Sequence, residues 1–76
     1  MLTLTALPAG NRATISQLHA SPELSQRLNA LGLRIGQAIE IIRRAPWHGP
    51  LQIRVGTTDL IMRESDAHCI HVTPQR

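Results

Sequence analysis

The side chains best suited to chemistry cluster late in the chain: Glu64, Asp66, His68, Cys69 and His71. A thiol two residues before an imidazole puts Cys69 and His71 on one face of an extended strand, the arrangement of a thiolate–imidazole pair. His68, Cys69 and His71 are also the candidate metal ligands, since thiolate and imidazole together suit Zn²⁺. Ferrous iron favours carboxylates beside imidazoles, and Glu64 and Asp66 near His68 are the best such group. Both readings lack parts. No third group follows to orient the imidazole, and on a strand His68 faces away from Cys69 and His71. A closed zinc site wants four ligands at regular intervals. His48 stands far off in sequence, and the His19–Glu23 spacing is not helical because Ser21-Pro22 opens a helix between them. The expectation is therefore no catalytic residue, no required cofactor, and Zn²⁺ or Fe²⁺ only as an adventitious, lattice-bridging or regulatory ion. No glycine loop is present to cradle phosphate, so GTP is not held by the usual backbone cage.

Binding is the other chemistry the residues offer. Trp47 is the only aromatic and lies in the loop Ala45-Pro46-Trp47-His48-Gly49-Pro50. An exposed tryptophan makes an interface anchor, whereas one folded over the end of a barrel is core, and the sequence leaves both open. Leu33 and Ile35 are apolar where a loop is usually polar. Ile35 is expected to close the fold, and Leu33 to do the same or to form a sticky patch. The candidate partner-binding set is Arg27, Leu31, Leu33 and Trp47.

These residues are positioned by short elements. Leu2-Thr3-Leu4 alternates briefly and stops at Pro8-Ala9-Gly10-Asn11, which is turn chemistry. Residues 12–18 form a second strand candidate. Ser21 then caps a helix, Pro22 suits its first position, and Glu23 complements its positive end. Leu24, Leu28 and Leu31 make one stripe, and Gly32 stands where a left-handed stop belongs. A helix of about ten residues does not persist alone in water, so it must pack on the sheet. After Gly36 the pattern is β. Ile39 and Ile41 share a face. Leu51, Ile53 and Val55 alternate with Gln52 and Arg54. Gly56-Thr57-Thr58-Asp59 reads as a hairpin turn, residues 60–63 as its returning arm, residues 64–68 as a polar turn, and Cys69–Val72 as a last strand with Ile70 and Val72 inward. Residues 73–76 read as a tail. Counted as two strands before the helix and three after it, these runs make a small closed barrel, mainly β and five-stranded, with the helix between strands 2 and 3. Closure matters because an open sheet leaves edges that aggregate.

Composition bounds the rest. The chain has 76 residues and reads as one domain over 1–76. At that size about 60% of the unfolded surface can be buried, so a compact aliphatic core is needed. The single cysteine excludes an internal disulfide and fits a reducing compartment. The first residues lack the basic start and apolar stretch of a signal peptide, and no apolar run is long enough to span a bilayer. The expectation is a cytoplasmic domain. Net charge is +3 from eight arginines and five acids. The arginines are spread evenly, and a nucleic-acid-binding barrel would need them clustered with stacking aromatics, so no nucleic-acid partner is expected.

The ordered set of Arg27, Leu28, Leu31, Gly32, Leu33 and Gly36, then Pro46, Gly49 and Pro50, then Leu60, Arg63, Ala67 and Ile70, resembles the FeoA family over nearly the whole chain. That resemblance implies an SH3-like barrel of the kind that presents a groove between loops. It also implies a cytosolic, non-enzymatic accessory role in ferrous iron uptake, exercised by docking on the cytosolic part of the transporter FeoB and reaching the membrane only through that partner. A similar domain ends iron-dependent repressors, whose DNA-reading part is absent here. The alternatives are a metal-responsive domain binding Fe or Zn and, behind it, a small basic nucleic-acid-binding barrel.

Overall fold

The computed structural model describes residues 2–74; Met1 and the Gln75-Arg76 end of the expected tail lie outside the described residues. Six strands form: β1 (Leu2–Thr3), β2 (Arg12–Leu18), β3 (Ala38–Arg44), β4 (Leu51–Val55), β5 (Thr58–Met62) and β6 (Ile70–Pro74). Helix α1 (Pro22–Ala30) joins β2 to β3, the one-turn helix α2 (Glu64–Ala67) joins β5 to β6, and a 3₁₀ turn covers Leu4–Ala6. The strands make one antiparallel sheet in the order β1-β6-β2-β3-β4-β5. No helix among the described residues is long and apolar enough to cross a membrane.

The fold is mainly β with its short helix between the second and third strands, as the sequence predicts. Two details differ. Four strands follow α1 where three are counted, because each of the four apolar runs after Gly36 forms its own strand, the last crossing by way of α2 to pair with β2 and β1. Thr73 and Pro74 extend that strand and are no tail. The ladder also does not close: β1 and β5 are its two edges. Curvature comes from register shifts between Ile15 and Gln17 in β2 and between Ile41 and Arg43 in β3. An extra residue on one strand of a pair bends it and sharpens its twist.

Inside the bend lies an all-aliphatic core. Leu4, Ile15, Leu33, Ile39, Ile41, Leu51, Ile53 and Ile70 are completely or almost completely buried. Alternation supplies most of them, one residue in two along β3, β4 and β6. Helix α1 forms as its sequence dictates. The Ser21 hydroxyl accepts from the Leu24 amide at 3.2 Å, and Pro22 opens the first turn. At the other end Gly32 takes φ 96°. Its amide donates to Asn29 O at 3.0 Å, and the Leu33 amide donates to Leu28 O at 2.9 Å. This pair of bonds satisfies the last helical carbonyls and drops Leu33 beside Leu28 in the core. A tight turn follows, with the Gln37 amide donating to Arg34 O at 3.0 Å and Gly36 at φ 91°. The Gly36 amide then donates to Ile15 O at 2.8 Å and docks the turn on β2.

Candidate functional site

The helix stop decides the fate of two sequence candidates. Leu33 is fully buried, so it closes the core and offers nothing to a partner; the Gly32 turn carries it inward. Ile35, expected to close the barrel, is 67% exposed. It occupies the outer corner of the 34–37 turn, whose bonds to β2 leave its side chain no inward direction. Arg27 and Leu31 are exposed on α1, and together with Leu24 and Leu28 they form one wall of a groove. The opposite wall is Leu60, Ile61 and Met62 of β5, and Arg63 and Asp66 stand at its end. The groove thus runs between a helix and the free edge of the sheet. Its floor is apolar and its rim carries two guanidiniums, one of them paired, with Arg63 Nε 3.6 Å from Asp66.

The histidine-bearing end is not gathered into one centre. Cys69 falls in the turn that follows α2, its amide donating to Asp66 O at 3.1 Å, and not in β6. It therefore does not share a strand face with His71. Its thiol turns back to Ser65 O at 3.9 Å. His71 lies in β6 with its ring 4.3 Å from that of His19. Partial burial of the ring, and then the nearby His19, push the His71 pKa below the ordinary imidazole value. His68 faces elsewhere: Nδ1 is 3.2 Å from Thr5 Oγ1 and Nε2 is 3.8 Å from Glu64. The same Glu64 carboxylate meets His48 Nδ1 at 3.2 Å. Among the described residues no group of three or more His, Cys, Asp or Glu side chains is arranged to hold a metal ion.

Trp47 resolves the question its loop posed. It is 94% exposed. The Ala45 amide donates to Pro50 O at 3.0 Å and the Gly49 amide to Pro46 O at 3.2 Å, which pinches 46–49 into a hairpin tip. The two central residues, Trp47 and His48, have φ 63° and 56°. Two successive positive φ values are the pattern of a type I′ turn, which normally takes Asn, Asp or Gly. Here it holds the indole out into solvent and turns the imidazole toward Glu64. Gly49 is required for a different reason: a Cβ there would lie 2.8 Å from Ala45 Cβ.

Sequence reasoning missed two surface residues. Ile61 is 79% exposed on β5. The signal was present, because three successive apolar residues in one strand, Leu60-Ile61-Met62, must send one outward. The approach of His48 to Glu64 had no local signal; it arises only when the hairpin tip folds beside α2.

Comparison with known proteins follows the same lines. The profile of the FeoA domain matches residues 2–74, and no curated protein sequence matches. Among solved structures, the FeoA protein of Chlorobium tepidum superposes with a TM-score of 0.92 at 32% identity, covering 99% of this chain and 71% of that one. Iron(II) transport protein A of Clostridium thermocellum gives 0.91 at 32% identity, covering 96% of this chain and 45% of that one. Stenotrophomonas maltophilia FeoA, crystallised with zinc, gives 0.80 at 29% identity, covering 100% and 98%. That protein is described as a prokaryotic SH3 domain protein and suggested as a ferrous iron transport activating factor.

Proposed function

Because the chain belongs to the FeoA domain family, we propose that it is a non-enzymatic accessory of ferrous iron transport that docks on the cytosolic part of a FeoB-like transporter. The observation that carries this reading is the family match across residues 2–74. The groove between α1 and β5 supports it, since apolar clefts beside a free strand edge suit an extended segment of a partner. Arg27 and Leu31 are the contacts of this face, with Ile61 opposite. Docking changes transport only if the domain binds one state of the transporter better than another. No metal is needed for such an effect.

The test is co-purification with the transporter's cytosolic domain, together with Fe²⁺ uptake measured with and without the chain. Binding and altered uptake are expected, and Leu31→Glu, at a half-exposed position, weakens both without unfolding the protein. No association and unchanged uptake would end the proposal.

A further inference from the structure

The β3–β4 hairpin tip carries an inference that does not depend on the transporter. It is convex, whereas the docking groove is concave, and its apex is the only aromatic side chain of the protein. Pro46 and Pro50 flank it and bring no amide donors to be left unsatisfied in an apolar medium. At its base stand Arg43 and Arg44, both exposed. Neither has a carboxylate partner among the described residues. The Arg44 guanidinium is held by a hydrogen bond to Thr5 O, which leaves its charge uncompensated. Of the acids on α2, Asp66 pairs with Arg63, while Glu64 lies 3.2 Å from His48 and 3.8 Å from His68. Trp47 is three residues beyond Arg44, a span of about 10 Å at most, which is about one Debye length at 0.1 M salt.

An indole on a rigid projection above unpaired arginines matches the water–lipid boundary of a negatively charged bilayer. Tryptophan settles at the headgroup level, and cations beside it are drawn to anionic headgroups. We propose that this tip anchors the domain on an anionic lipid surface, with Trp47 entering the interface and Arg43 and Arg44 meeting the headgroups. A protein pocket is the competing occupant. The net charge of +3 and the two exposed arginines at the base of the tip favour the lipid surface.

With no tyrosine or phenylalanine in the chain, intrinsic fluorescence reports Trp47 directly. The full chain is titrated with vesicles of phosphatidylglycerol and phosphatidylcholine, and with vesicles of phosphatidylcholine alone. A blue shift and co-sedimentation are expected with the anionic vesicles, and little of either with the neutral ones. Arg43→Gln should weaken binding about fivefold, and Trp47→Ala, read by sedimentation, roughly tenfold or more. Salt near 0.5 M, where screening acts over roughly 4 Å, should release the protein. Three results would overturn the proposal: unchanged emission with no sedimentation, equal binding to neutral vesicles, or a shift that follows only addition of the transporter's cytosolic domain.

Discussion

Two hairpins in this sheet turn on opposite materials. Between β4 and β5 the chain reverses through Gly56 and Thr57, with Gly56 at φ 62°. Between β3 and β4 it reverses through Trp47 and His48, at φ 63° and 56°. The first turn needs one positive φ and meets it with glycine; the second needs two and meets neither with glycine. A side chain in the left-handed region costs roughly 1–2 kcal/mol. Such strain persists where the surroundings over-determine it, and it gathers at working sites. The Gly56 turn is a connection. The Trp47 turn gives up stability to present two side chains, one of which stands 94% exposed.

The largest effect that sharpens this contrast is expected at Gly49. Its Cβ would stand 2.8 Å from Ala45 Cβ and 3.0 Å from the Pro46 carbonyl. Gly49→Ala should therefore lower stability by about 1–3 kcal/mol, read as a lower urea midpoint with unchanged m. A neutral result would mean that the tip is not pinched as described. Next comes the exchange of Trp47-His48 for the pair the turn prefers. The double variant Trp47→Asn, His48→Gly should raise stability by about 1 kcal/mol, the strain relief less the entropy that glycine adds to the unfolded chain. It should also abolish association with anionic vesicles. A destabilised variant would show that the indole packs on the fold. At the other hairpin, Gly56→Ala meets nothing within 4 Å, so it should lose about 1 kcal/mol from the left-handed φ alone.

The same contrast marks what the sequence makes legible. The helix from its Ser21 cap to its Gly32 stop, the turn at Gly36 and the aliphatic alternation of β4 and β6 are all local rules, and all appear in the structure as expected. The positions that depart from expectation depend on contacts between distant segments. Ile35, expected to close the barrel, stays outside because the Gly36 amide binds Ile15 across the sheet. Cys69 leaves the strand because the turn after α2 takes in one residue more than expected, its amide bound to Asp66 O. His48 meets Glu64 through the approach of two loops. Of the candidate docking set, Arg27 and Leu31 follow from helical periodicity. Trp47 required the fold, since nothing local decides whether a lone tryptophan in a loop turns in or out.

The smallest expected effect separates the hairpins by their ion pairs. Across β4–β5, Arg54 and Asp59 face each other in register, with Nε 2.7 Å from Oδ1 and Nη2 3.1 Å from Oδ2. The hydrogen bonds from Arg54 hold the Asp59 carboxyl below its ordinary value of 3.8. A carboxylate with a lowered folded pKa contributes stability that is present above the unfolded value and is lost as pH falls through the folded one. The pair is exposed, so the contribution is modest and screened by salt. Urea midpoints for the wild type and Asp59→Asn, compared at low ionic strength, should differ in favour of the wild type near pH 6. The difference should begin to shrink as the pH falls through about 3.8 and close only below the lower folded value, where both chains carry a neutral side chain at that position. A gap that persists unchanged into acid would assign the effect to β5 packing, and the β4–β5 hairpin would then owe nothing to its cross-strand charge pair.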